Sequence, residues 1–151
     1  LCAAGSYGEA NSSSCQPCPP GAISAARAIS CTPCPPGTFN QHDGNTQCTN
    51  CTGGTYTNTS GNAACLSCGV GKYSDPTATE CIDCPVGTYQ PYGDYSVVCY
   101  PCIAGTYTNT TGNAACLSCG VGKYSDPTAT ECIDCPVGTY QPYGDYSVVC
   151  Y

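Results

Sequence analysis

Cys81-Ile82-Asp83-Cys84-Pro85-Val86-Gly87-Thr88-Tyr89 decides how this chain is read. It holds a C-x-x-C doublet, a proline after the second cysteine, then a glycine and an aromatic residue three and five places past that cysteine. The doublet recurs along the whole sequence, at Cys15/Cys18, Cys31/Cys34, Cys48/Cys51, Cys65/Cys68, Cys81/Cys84, Cys99/Cys102, Cys116/Cys119 and Cys132/Cys135, with Cys2 and Cys150 alone at either end. A glycine follows every opening cysteine at the third place, from Gly5 and Gly21 to Gly122 and Gly138. The fifth place is Tyr7, Phe39, Tyr56, Tyr73, Tyr89, Tyr107, Tyr124 or Tyr140, and Ile23 in the one exception. This rhythm describes a string of small stapled units and not one globule.

A longer repeat is laid over the short one. Residues 52–100 and 103–151 differ only at Thr52/Ile103, Gly53/Ala104 and Ser60/Thr111. The offset of 51 residues equals three short units. Residues 1–51 form a divergent triplet with the same cysteine rhythm, so the expected division is 1–51, 52–102 and 103–151. Self-similarity of this kind marks a quasi-one-dimensional array.

Composition agrees. The 151 residues include 18 Cys, 18 Gly and 13 Pro but no Met or Trp and a single Phe. Large aliphatic side chains are too few to fill a core, and a chain this rich in cysteine is a disulfide scaffold. Within a unit, Cys84-Pro85-Val86-Gly87 has proline second and glycine fourth, the preference of a type I turn. Thr88-Tyr89 supplies β-favouring residues, and Gln90-Pro91-Tyr92-Gly93 a second turn. No stretch keeps a capped 3.6-residue apolar period. The expected fold is small and disulfide-rich, irregular with short β-hairpins, an elongated tandem-repeat rod with almost no helix and no large hydrophobic core.

Three cysteine pairings are open on spacing. In the tandem pairing each loop closes on itself: Cys2–Cys15, Cys18–Cys31, Cys34–Cys48, Cys51–Cys65, Cys68–Cys81, Cys84–Cys99, Cys102–Cys116, Cys119–Cys132 and Cys135–Cys150. It uses every cysteine, and each closure of about 15 residues is worth roughly 3 kcal/mol on chain-entropy grounds. In an interleaved pairing doublet joins doublet, as Cys15–Cys31 with Cys18–Cys34. In the third, paired doublets bind zinc at ribbon-like spacing. The tandem pairing is the one expected here.

The formal charge is −7 with Arg27, Lys72 and Lys123 as the only basic residues, which excludes an electrostatic grip on nucleic acid or anionic lipid. No apolar run reaches the ~20 residues of a membrane span. No leader is visible at Leu1, so the chain is expected to be a mature protein or a part of a longer one. Dense cystines belong to oxidising compartments, and N-x-[ST] sequons at Asn11, Asn58 and Asn109 fit a glycosylated, extracellular or cell-surface protein. Asn50-Cys51-Thr52 is a weaker sequon because of its central cysteine.

Cys34-Pro35-Pro36-Gly37-Thr38-Phe39 and Cys84-Pro85-Val86-Gly87-Thr88-Tyr89 resemble the C-P-x-G-T-[YF] opening of ephrin-receptor-like cysteine-rich modules, themselves similar to the first segment of tumour-necrosis-factor-receptor repeats. The resemblance runs through essentially the whole chain, one unit at a time. It implies pairing across the loop, as Cys34–Cys48 and Cys84–Cys99. The uniform rhythm departs from the mixed cystine pattern of the tumour-necrosis-factor receptors. With the near-exact duplication it is more similar to protist surface-coat proteins and to extracellular filaments of the flagellar-hair (mastigoneme) type.

Chemistry has little footing. His42, the sole histidine, lies in a polar loop and reads as a solvated turn residue. Carboxylates Asp75, Glu80, Asp83 and Asp94, repeated as Asp126, Glu131, Asp134 and Asp145, match no calcium-loop signature and read as a solvated acidic face. No catalytic residue, metal ligand or cofactor is expected. The outward candidates are tyrosines: Tyr92 and Tyr95 beside a Pro-Gly turn, repeated as Tyr143 and Tyr146, rigid amphipathic rings suited to protein contacts. The reading is a structural extracellular protein that self-associates, a subunit of a filament or cell-surface appendage carrying covalent glycans. A receptor or adhesive ectodomain binding a protein or glycan is the first alternative. A protective cysteine-rich surface-coat antigen is the second.

Overall fold

The computed structural model describes residues 1–10, 13–144 and 148–151. Eight loops close on themselves. Cystines join Cys2 to Cys15, Cys18 to Cys31, Cys34 to Cys48, Cys51 to Cys65, Cys84 to Cys99, Cys102 to Cys116, Cys119 to Cys132 and Cys135 to Cys150, with Cα–Cα separations of 5.5 to 5.8 Å. Cys68 and Cys81 are also disulfide-bonded, and no cysteine is free. The cysteine spacing defines loops one to nine, numbered along the chain and each opened by the cysteine that precedes its conserved glycine.

The regular structure is a series of two-residue strands in antiparallel pairs, with no helix among the described residues. The spacing of the doublet follows from these pairs. In loop six, Thr88–Tyr89 pairs with Tyr100–Pro101, so Thr88 faces Pro101 and Tyr89 faces Tyr100. The return strand is thus the x-x of Cys99-x-x-Cys102. The same holds for Thr38–Phe39 with Thr49–Asn50 and for Thr106–Tyr107 with Leu117–Ser118. Two residues between cystines are just enough to complete one rung of hydrogen bonds before the next loop opens.

The turn differs from the sequence expectation. Thr88 N–H donates to the Pro85 carbonyl at 3.1 Å, which makes the turn Pro85–Thr88, one residue later than Cys84–Gly87. Gly87 occupies its third position with φ +77°. A positive φ at that place is the type II requirement, and glycine meets it without a Cβ penalty. The nine glycines of this position all have φ between +75° and +91°.

A second reason for glycine lies between loops. In the unit formed by Leu1–Ser67 and Ser74–Cys81, a Cβ on Gly5, Gly21 or Gly37 would sit 1.9, 2.2 or 2.3 Å from the carbonyl oxygen of Gly44, Gly61 or Thr77, two loops further on. In the other unit, Cys68–Tyr73 with Ile82–Tyr151, a Cβ on Gly71 or Gly87 would sit 2.1 or 2.2 Å from the carbonyl oxygen of Gly112 or Thr128. Within each unit a loop therefore touches both the next loop and the one after it.

Backbone bonds fix this stacking. Gly87 N–H donates to the Thr108 carbonyl at 3.0 Å, the Gly87 carbonyl accepts from Cys102 N–H at 2.9 Å, and the Cys84 carbonyl accepts from Gly112 N–H at 2.8 Å. In the first unit Gly37, Cys34, Thr57, Cys51 and Gly61 repeat the same set.

The core is polar. The buried hydrophobic residues are half-cystines: Cys2, Cys18, Cys34, Cys51, Cys84 and Cys102. Beside them lie Ser24, Asn40, Thr57, Ser74, Gln90, Thr108, Ser125 and Gln141, each the sixth residue after an opening cysteine and each at most 4% exposed. Burying such groups is tolerable only when they are hydrogen-bonded, and all the described ones are. Ser24, Ser74 and Ser125 donate to the carbonyls of Ser6, Thr55 and Thr106 in the preceding loop, at 3.0 to 3.1 Å. Asn40 donates to the Ala22 carbonyl at 2.8 Å. Thr57 and Thr108 Oγ1 accept from Gly37 and Gly87 N–H at 2.7 Å. Gln90 and Gln141 instead span their own loops, donating to the Val98 and Val149 carbonyls and accepting from Tyr92 and Tyr143 N–H at 3.0 Å. A cystine and one polar side chain per loop replace the aliphatic core this composition cannot supply.

Candidate functional site

Once the glycine, the sixth-position residue and the opening cysteine face inward, what remains outward is the distal half of each loop. Loops six and nine, Cys84–Cys99 and Cys135–Cys150, are identical in sequence and carry the largest apolar side chains. Gln90 holds Tyr92 N–H from below, and the Tyr92 ring projects with 63% exposure; Tyr143, on Gln141, has 68%. Tyr95, with φ +61°, is 74% exposed. Tyr146 and the sequon residue Asn11 lie outside the described residues.

Around these rings the tyrosines form a surface cluster. The Tyr100 ring lies 6.0 Å from that of Tyr89 and 6.3 Å, edge to face, from that of Tyr92. In loop nine, Tyr140 and Tyr151 are 6.4 Å apart. Offset and edge-to-face contacts at these separations are favourable. Loop six also borders an open apolar hollow of about 300 Å³, lined by Tyr73, Pro85, Thr88, Val97, Val98 and Cys99. The residues 51 positions further on, Tyr124, Pro136, Thr139, Val148, Val149 and Cys150, line a second hollow of about 230 Å³. The long repeat thus reproduces an outward surface as well as an inward one.

Asn58 and Asn109 are exposed, each directly after a buried threonine, Thr57 or Thr108. The turn bearing each sequon is tied by Asn62 donating to the Thr59 carbonyl, or Asn113 to that of Thr110, at 2.5 Å. Asn109 also borders an open hollow of about 360 Å³ with Tyr107, Lys123 and Glu131. Asn50 lies on the strand Thr49–Asn50 next to the buried Cys51.

Charged groups are spread over the surface. Lys72 pairs with Asp83 and Lys123 with Asp134, each across a strand pair. Asp75, Glu80 and Asp94 are exposed, as is His42, whose backbone N–H donates to Asn40 at 3.2 Å. Among the described residues no group of three or more His, Cys, Asp or Glu side chains could hold a metal, and no helix is long and apolar enough to cross a membrane.

Comparison with known proteins places the repeat. Residues 21–58 and 41–78 match the family described as tyrosine-protein kinase ephrin type A/B receptor-like. The chain is 38% identical over 68 residues to signal peptide, CUB and EGF-like domain-containing protein 3 of Mus musculus, covering 41% of this chain and 7% of that protein. It is 42% identical over 67 residues to sushi, von Willebrand factor type A, EGF and pentraxin domain-containing protein 1 of Rattus norvegicus, covering 41% of this chain and 2% of that protein. The chain therefore spans only a small fraction of these relatives. The matches indicate no enzyme family, and with the many disulfides they point to a secreted or cell-surface protein. Residues 21–78 thus match the ephrin-receptor-like family model, and the same pattern of cysteines, glycines and fifth-position residues recurs through the rest of the chain.

Proposed function

We propose that this chain is a structural extracellular repeat protein that self-associates, serving as a subunit of a filament or cell-surface appendage. The observation that carries the reading is the repetition of the outward surface. Tyr92, Val97 and Val98 are exposed in loop six, and Tyr143, Val148 and Val149 in loop nine. A surface repeated at fixed sequence spacing offers the same contact more than once per molecule, which multiplies weak affinities into avidity. Contacts that repeat without closing build fibres and not rings. The stretches 52–102 and 103–151 are the building units of this reading, and N-glycans on Asn58 and Asn109 give it a hydrated coat.

Electron microscopy of unreduced native material tests it. Fibres with an axial period commensurate with the 51-residue unit are expected. Dispersed, non-associating molecules would favour a receptor or adhesive ectodomain, the reading supported by the receptor-like family model that residues 21–78 match.

A further inference from the structure

Oxidation has few places to act on this chain. Every cysteine is in a disulfide, and methionine and tryptophan are absent. The side chains that normally take up oxidising equivalents, thiols and thioethers, are therefore missing. What remains is phenol: 13 tyrosines against a single histidine.

The fold sorts those tyrosines. The fifth-position rings Tyr7, Tyr56, Tyr73, Tyr89, Tyr107 and Tyr124 are half-buried on the first strand of their loops. Tyr92, Tyr95 and Tyr143 stand on the distal, outward part of loops six and nine and are 63%, 74% and 68% exposed, whereas Tyr140 and Tyr151, 63% and 65% exposed, lie against each other with ring centroids 6.4 Å apart. Tyr95 and Tyr143 have no ring contact among the described residues. Tyr92 has one, the edge-to-face contact with Tyr100.

We infer that Tyr92, Tyr95 and Tyr143 are sites of oxidative tyrosine–tyrosine cross-linking between copies of this chain, with a haem peroxidase and hydrogen peroxide as oxidant. One electron and one proton leave each of two phenols. The two phenoxyl radicals join through a carbon–carbon bond ortho to the oxygens, and each ring then moves its ortho hydrogen to oxygen to restore the phenol. Overall two tyrosines and one hydrogen peroxide give one biphenol and two waters. Tyr95 and Tyr143, with no ring contact among the described residues, find a coupling partner on another molecule, and Tyr92, which meets Tyr100 only edge to face, does the same, so the bond joins molecules. The inference rests on the self-association proposed above, which brings outward rings of neighbouring copies together, and deepens it from a reversible to a covalent assembly.

The experiment treats the full, unreduced chain with a haem peroxidase and hydrogen peroxide, then separates it under reducing, denaturing conditions and maps cross-linked peptides by mass spectrometry. The expected result is multimers that survive reduction, a loss of two hydrogens per link, and links at Tyr92, Tyr95 and Tyr143. The triple variant Tyr92→Phe, Tyr95→Phe, Tyr143→Phe keeps the rings and removes the phenols; it is expected to lose most of the reduction-resistant multimer. Links spread evenly over all tyrosines, links confined to Tyr92–Tyr100 within one chain, or a triple variant that cross-links like the parent would each overturn the inference. Electron microscopy of both proteins before oxidant separates the two proposals. Assembly without links at these rings removes only the cross-linking, whereas absence of assembly removes the self-association beneath it.

Discussion

Loops six and nine have one sequence and two environments. In loop six Cys84 is fully buried, Gly87 is buried and Val86 is 44% exposed; in loop nine Cys135 is half-buried, Gly138 is exposed and Val137 is 106% exposed. A Cβ on Gly87 would meet the Thr128 oxygen at 2.2 Å, and one on Gly138 would meet nothing within 4 Å. What both loops keep is local. The cystine closes each, and Tyr140 and Tyr151 exchange two backbone bonds of 2.9 Å just where Tyr89 faces Tyr100. Closure is thus a property of one loop, while burial is given by the two loops that follow. This is the nearest-neighbour energetics of a repeat array, extended here to the second neighbour.

The comparison breaks most sharply at the glycine. Gly87→Ala is expected to cost more than about 3 kcal/mol, because φ strain adds to an overlap with backbone that no rotamer relieves. Gly138→Ala has the same φ requirement and open space, and is expected to cost only about 1–2 kcal/mol. Hydrogen exchange of the loop amides measures both, and equal losses would show that the close approach at Gly87 has no energetic weight. Thr108→Val removes the hydroxyl that accepts from Gly87 N–H while leaving the Thr108 carbonyl in place; the expected loss is about 1–2 kcal/mol, read as faster exchange at Gly87. Thr128→Gly runs the other way. Thr128 is β-branched with φ +65°, a conformation that disfavours such residues. Glycine there keeps the backbone bond from residue 128 N–H to the Cys102 carbonyl, 2.8 Å, with an expected gain of about 1 kcal/mol in denaturant unfolding. Lys123→Ala, which breaks the exposed pair with Asp134, is expected to change stability by less than about 1 kcal/mol, with the residual effect disappearing in high salt.

The sequence carried the doublets, the glycine and the aromatic place, since each needs a particular residue type. It placed the turn one residue early at Cys84–Gly87. A type I reading of Pro and Gly at the second and fourth places fits the letters as well as the observed type II turn, and only the positive φ of Gly87 separates them. The polar core was hidden for a different reason. Ser24, Asn40, Thr57 and Gln90 share a position and a role but no side chain, and searches for a core look for apolar residues. The signal was present as a polar residue directly after the aromatic place in loops two to nine. Thr77 and Thr128 at positive φ could not be read from sequence, because threonine ordinarily avoids that region. Of the surface tyrosines, the outward placement of Tyr92, Tyr95 and Tyr143 followed from the Pro-Gly turn beside them, whereas the clustering of Tyr89, Tyr92 and Tyr100 depends on the strand register.

The return strand between cystines also sets what happens under tension. A pull along the chain does not run through the body of a loop; it crosses each cystine and the two residues after it. From Cys84 to Cys102 that path is the 5.7 Å bridge followed by three extended residue steps, about 16 Å in all. With the bridge reduced, the same stretch could reach about 60 Å. Hydrogen bonds between loops can break, but with the bridge closed this loop contributes no more than about 16 Å, so only opening the disulfide releases the rest. The length locked inside each loop is therefore released by the redox state of the surroundings and not by the strength of the folding.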